Sequence, residues 1–79
     1  MTVHGPRPVV QLLTRQGCHL CTDARAVLDE AGAAWSEIDV DTDPELRAEW
    51  GDMVPVLLVD GVCHGYYHLD PVKVATLLR

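Results

Sequence analysis

The segment Cys18-His19-Leu20-Cys21 holds the residues best suited to chemistry. Two thiols three residues apart can close a disulfide with little chain movement when they share the first turn of a helix. A thiol at a helix N-terminus sits among unpaired N–H groups and at the positive end of the dipole. The thiolate is favoured there, so Cys18 is expected to titrate below the free value of about 8.5. The thiolate is the attacking group in disulfide exchange, and a second thiol resolves the mixed disulfide that forms. The pattern therefore reads as a redox pair, with Cys18 as nucleophile and Cys21 as resolving thiol. His19, when protonated, adds to the stabilisation of the thiolate. The same spacing also reads as half of a metal site. A structural zinc needs four ligands, and the donors left are His4, His19, Cys63, His64 and His68, with no second Cys-x-x-Cys. An iron–sulfur site using Cys18 usually takes four thiolates, so a chain with three cysteines completes one only by sharing it. An inert pair in a domain that only binds partners is the third reading.

The elements that must hold these thiols alternate between strand and helix. Val9-Val10-Gln11-Leu12-Leu13 is a short apolar run and reads as a buried strand. Leu20, Ala24, Val27, Leu28 and Ala31 recur at helical spacing over 18–31, and Gly32 is a C-terminal stop. Trp35 to Val40 alternates with period two, as a strand with one wetter side would. Next comes a helix start in which Asp43 caps with Pro44 at the first position, or Thr42 pairs with Glu45 in a capping box. That helix runs to Gly51. The apolar run 54–59, the turn pair Asp60-Gly61 and Val62-Cys63-His64 read as a β-hairpin. Asp70-Pro71 opens a last helix with Val74, Leu77 and Leu78 on one face. The order is β-α-β-α-β-β-α, an α/β chain read as one domain over 1–79, with 1–7 as a loose lead-in.

Composition narrows the partners. Six Lys and Arg against twelve Asp and Glu give a formal net charge of −6, which lacks the basic footprint nucleic-acid binding needs. Seven of those acids fall between Glu37 and Asp52, which reads as a solvated face or as a docking surface for a basic partner. No stretch approaches the roughly 20 apolar residues of a membrane span, and no signal-peptide pattern opens the chain. The expected setting is the cytoplasm, with neither membrane nor nucleic acid as partner. Structural disulfides are rare there, which favours a working pair over a structural one.

With the pair opening the first helix and Val54-Pro55 opening the third strand, the chain resembles the glutaredoxins, in particular the small glutaredoxin-like proteins of bacteria. Thr14-Arg15-Gln16-Gly17-Cys18-His19-Leu20-Cys21 is similar to the glutaredoxin active-site segment, with a basic residue three positions before the first cysteine. Met53-Val54-Pro55 is similar to the Thr-Val-Pro segment. The resemblance implies a thioredoxin-like fold, a four-stranded mixed sheet flanked by helices. It implies a dithiol thiol–disulfide oxidoreductase that maintains the thiols of protein or low-molecular-weight substrates. It also implies a cis Val54–Pro55 bond beside the redox pair, with Pro55 shaping the groove for the partner's disulfide. Arg15 would hold an anionic group such as the glutathione carboxylate, and His19 and Val54 would border the substrate. No organic cofactor is expected, because the dithiol carries the electrons. Glutathione or a flavin-dependent reductase would return them, and the protein is expected to be a monomer. His19-Leu20 stands where glutaredoxins have Pro-Tyr or a similar pair. Gly65-Tyr66-Tyr67-His68 stands where they have Gly-Gly and an acidic residue, so glutathione is expected to bind weakly by comparison.

The hairpin also places the third cysteine. With Asp60-Gly61 as a two-residue turn, Cys63 lies opposite Leu58 and Tyr66 opposite Pro55. At about 3.3 Å per residue, Cys63 then sits roughly 10 Å from the Pro55 end, beyond disulfide reach and outside a metal's first shell. Cys63 reads as a structural thiol, and Tyr66 as the residue bordering the groove.

Overall fold

Strand β1 (Val10–Thr14) is the one on which the others are assembled, because it is apolar enough to be buried on both faces. The computed structural model describes residues 8–78; the lead-in expected over 1–7, including His4, lies outside the described residues. Strand β2 (Ser36–Asp39) pairs parallel to β1, with Leu12 facing Glu37 and Thr14 facing Asp39. Strand β3 (Val56–Val59) pairs antiparallel on the other side, with Leu13 facing Val56. Strand β4 (Val62–Tyr66) completes the order β2-β1-β3-β4, a four-stranded mixed sheet.

The helices cover both faces. On one, α1 (His19–Glu30) and α3 (Pro71–Leu78) send Ala24, Leu28 and Val74 against Val10, Leu12, Leu57 and Val59. On the other, Val40 joins Leu13, Val56 and Leu58, with Leu46 and Trp50 of α2 (Pro44–Trp50) packed alongside. All four residues of β3 are buried, which explains their unbroken apolar character. Leu12, Leu13 and Leu28 have no exposed surface, and truncating any of them to alanine would cost about 2–5 kcal/mol.

Local signals set most of the boundaries. Helix α1 begins one residue later than its apolar pattern, because Cys18 is extended and stands as its N-cap. Asp43 caps α2 by accepting from the Glu45 N–H, with Pro44 in the first turn; the capping box does not form, and Thr42 Oγ1 donates to the Asp39 carbonyl instead. The second strand ends at Asp39, since Val40–Thr42 turns into a 3₁₀ segment that buries Val40. Asp60 and Gly61 both take positive φ, 52° and 80°, as a two-residue type I′ hairpin turn requires. The hairpin pairs Leu58 with Cys63 as expected, but a bulge follows. Gly65 rather than His64 faces Leu57, so Tyr66 faces Val56 and not Pro55. The one inserted residue shifts every later pairing by one position.

A polar bridge closes the sheet at the end where β1 stops. Glu37 accepts from Arg25 Nε and Nη2, both at 2.8 Å, and from Thr14 Oγ1 at 2.8 Å. The Arg25 guanidinium, more than the Thr14 hydroxyl, holds the Glu37 carboxyl below its ordinary range, against the opposing effect of burial. A carboxyl with a lowered folded value adds stability above its unfolded value and loses it as pH falls through the folded one. Both side chains are over a third exposed, so the bridge is worth about 1 kcal/mol or less. Urea denaturation of Glu37→Gln at neutral pH should show a loss of that size, shrinking as pH falls through the lowered folded value of Glu37.

Candidate active site

The sheet brings three chain segments to one end. β1 leaves it after Thr14, β3 enters it at Val56 opposite Leu13, and β4 leaves it at Tyr66. The loop that carries the cysteines starts from this end. Its turn is closed by the Cys18 N–H donating to the Arg15 carbonyl at 3.3 Å, and Gly17 takes a φ of +78°, which glycine reaches without steric cost.

Cys18 and Cys21 are joined as a disulfide, with Cα atoms 5.3 Å apart. The Cys21 N–H donates to Cys18 Sγ at 3.2 Å, and the Cys18 carbonyl also accepts from it. Cys18 is half-buried, whereas Cys21 has no exposed surface. The two residues therefore differ in exposure: Cys18 is partly exposed at a helix N-terminus, and Cys21 is buried against the core.

The other residues singled out from the sequence fall around this end in different states. His19 is exposed on the first turn of α1. The Val54–Pro55 bond is cis, Pro55 is fully buried and Val54 half-buried. Tyr66 is 47% exposed and meets the Tyr67 ring edge-on, with centroids 5.1 Å apart. Arg15 already has partners within the chain. Its Nε donates to Asp41 Oδ2 at 3.0 Å and its Nη1 to the Gly51 carbonyl at 3.2 Å. The hydrogen bond and charge of Asp41 raise the Arg15 pKa further above its already high value. Arg15 thus links the loop before Cys18 to the end of α2, just ahead of Met53-Val54-Pro55.

Tyr67 was not anticipated. Its N–H donates to the Pro55 carbonyl at 3.0 Å and its hydroxyl to the Asp52 carbonyl at 3.2 Å, so it takes the place beside Pro55 that the unbulged register assigned to Tyr66. It does so at a φ of +63°, a conformation for which tyrosine carries no sequence signal. Cys63 is a free thiol directed at the Gly65 carbonyl, 3.8 Å away, and packed beside Leu13, Val40, Val56 and Leu58. Among the described residues, no group of three or more His, Cys, Asp or Glu is placed to hold a metal ion.

Two measurements probe this arrangement. After reduction, iodoacetamide under native conditions should label Cys18 well before Cys21, as read by peptide mass spectrometry; equal labelling would contradict the asymmetry in access. Cys63→Ala should leave the reduction potential of the Cys18–Cys21 couple unchanged and lower the unfolding free energy by about 1 kcal/mol.

The comparisons with known proteins agree with this geometry. The model of the Glutaredoxin-like domain (DUF836) matches residues 9–79. An uncharacterized protein of Mycobacterium tuberculosis is 44% identical over 73 residues, covering 81% of this chain and 75% of the relative. A solved structure of a protein from X. campestris superimposes with a TM-score of 0.78 at 29% identity, covering 89% of this chain and 95% of that one. The solution structure of glutaredoxin from Brucella melitensis gives a TM-score of 0.66 at 31% identity, covering 95% and 94%. Family, fold and a cysteine pair at disulfide distance together support a thiol–disulfide redox function in general terms. By sequence and by fold, the chain belongs to the glutaredoxin-like domain family.

Proposed function

We propose that the protein is a dithiol thiol–disulfide oxidoreductase. The observation that carries this reading is the asymmetry of the pair: a partly exposed Cys18 capping α1, and a buried Cys21 bonded to it. In the reduced protein the Cys18 thiolate attacks one sulfur of a substrate disulfide, and the other substrate sulfur leaves as a thiolate that takes up a proton. Cys21, losing its own proton, then attacks Cys18 Sγ in the mixed disulfide. The second substrate thiol departs, and the Cys18–Cys21 bond forms. Two electrons have passed from the dithiol to the substrate. Glutathione, or a flavin-dependent reductase, returns them. The Cys21 N–H, directed at Cys18 Sγ, stabilises the anionic sulfur both as attacking and as leaving group.

The substrate would be a disulfide-containing protein or a low-molecular-weight disulfide, handled by a monomer in the cytoplasm. His68 stands where the resemblance puts an acidic contact to glutathione. Loss of one charge-assisted hydrogen bond weakens binding by about 10- to 150-fold, which makes a dedicated reductase the better supply of electrons.

The deciding experiment is a redox titration of the Cys18–Cys21 couple in glutathione buffers, run beside reduction assays on a peptide disulfide with glutathione or with a flavin-dependent reductase. Cys18→Ser should bring the rate down to the uncatalysed one. Cys21→Ser should accumulate a mixed disulfide on Cys18, visible as an added mass under non-reducing conditions. Undiminished turnover by Cys18→Ser would overturn the proposal. A coloured protein with a visible absorption band lost on Cys18→Ser would replace it with a metal-binding role.

A further inference from the structure

Arg15 stands three residues before Cys18 and is tied to three other parts of the chain. Its carbonyl accepts from the Cys18 N–H at 3.3 Å. Its Nε donates to Asp41 Oδ2 at 3.0 Å, in the 3₁₀ segment after β2, and its Nη1 to the Gly51 carbonyl at 3.2 Å. A guanidinium takes a carboxylate best through two nitrogens on one edge. The two edges of Arg15 share Nη2, and the other nitrogen of each is already engaged. Neither edge offers the two free nitrogens that holding a substrate carboxylate, the role expected from the sequence, would use.

The segment that Arg15 reaches is also held from its other side. Gly51 is buried and closes α2 tightly, since a Cβ there would come within 2.5 Å of the Arg47 carbonyl. The Met53 N–H then donates to the Trp50 carbonyl at 2.8 Å. Beyond it, the Tyr67 hydroxyl donates to the Asp52 carbonyl at 3.2 Å and the Tyr67 N–H to the Pro55 carbonyl at 3.0 Å. Three carbonyls that bracket Met53 and Val54 thus accept from two residues, Arg15 and Tyr67. Because Val56 pairs with Leu13 and β1 ends at Thr14, residues 53–55 and the loop 15–18 meet neighbouring strands at the same end of the sheet. Arg15 is bonded to both, through its backbone to Cys18 and through its side chain to Gly51.

We propose, resting on the oxidoreductase reading, that Arg15 and Tyr67 are positioning residues, fixing Met53-Val54-Pro55 relative to Cys18 so that a disulfide laid along that segment meets Cys18 in line. Reacting atoms must come to about 3–3.5 Å with their orbitals aligned, and a misplacement of about 1 Å can cost about 100-fold in rate. Holding an anion needs a charge alone. Holding Asp41 and Gly51 at once needs a rigid fork, which lysine lacks.

The test measures second-order rate constants for the prereduced protein with two peptide disulfides, one flanked by neutral residues and one by glutamates. Arg15→Lys keeps the charge and loses the fork, Asp41→Ala removes a partner, and Tyr67→Phe removes one hydroxyl. Arg15→Lys and Asp41→Ala should each slow both peptides by the same factor, about 10-fold. Tyr67→Phe should slow both by less, because its backbone bond to Pro55 remains. The double variant of Arg15 and Asp41 should be no slower than either single one, as expected for residues that act through each other. Iodoacetamide, which needs no groove, should alkylate Cys18 at the wild-type rate in every variant. An Arg15 that holds substrate gives a different pattern: Asp41→Ala, by freeing the guanidinium, would speed the glutamate peptide alone, and that result overturns the proposal. Wild-type constants in Arg15→Lys and Asp41→Ala overturn it too, and a wild-type constant in Tyr67→Phe removes Tyr67 from the pair. Alkylation that falls in step with exchange overturns it as well, by placing the effect on the thiol itself. In each of these cases the oxidoreductase stands. A wild-type protein that reduces neither peptide overturns the oxidoreductase reading and the positioning role together.

Discussion

The first turn of an α-helix leaves backbone N–H groups that nothing within the helix can satisfy. In α1 the Cys21 N–H turns back to the carbonyl and the sulfur of Cys18, 3.2 Å from each. This contact joins the fold to its chemistry. The residue that caps the helix is also the more exposed cysteine of the pair, so the geometry that starts α1 directs an N–H donor at its sulfur, where the proposed exchange would build charge. An ordinary N-cap would be serine, threonine, aspartate or asparagine, whose oxygen does the same for stability alone. Here the cap is a weaker acceptor that can exchange bonds.

For the contact to be useful, α1 has to be held at a fixed place, and the core does this. Leu28 and Ala24 lock the helix onto Leu12 and Leu57, while Cys21 is buried one turn before Ala24. Cys21 is therefore part of the packed interior, and Cys18 one turn earlier is partly exposed. Polar links then steady the loops at the same end. Arg15 fastens the approach to Cys18 to Asp41 and Gly51, and Tyr67 fastens the Pro55 loop to β4 and Asp52. Neither link lies in the core, yet both set the relative position of the loops from which a substrate groove would be made.

β4 is where the design is least regular. It is an edge strand, so an inserted residue disturbs only one ladder. His64 is that residue, and its insertion moves Tyr66 onto the pairing position of Val56 and turns Gly65 toward Leu69. The position of the aromatic pair at the strand end follows from that single shift.

Much of this molecule was legible in its residues taken in order. The cysteine pair, the caps at Asp43 and Asp70, the Asp60-Gly61 turn and the four-residue apolar block of β3 are local signals, each set by neighbours within a few positions. They yielded the order of elements, and with the resemblance carried by Val54-Pro55 they yielded the fold. The pairing of Leu58 with Cys63 followed too, since it lies only two residues beyond the turn. Three features depended on the assembled fold. Arg15 read as a holder of an anionic substrate group, and Asp41 and Gly51 come to it from 26 and 36 residues away. Glu37 read as one acid among many, until Arg25 and Thr14 converged on it across the sheet. Tyr67 carried no role of its own in the sequence, and it holds a left-handed conformation beside hydrogen bonds to Pro55 and Asp52. Local propensity settles a helix cap or a tight turn because every participating atom is near in the chain. A bulge, or a partner many residues distant, is decided only when packing brings the segments together.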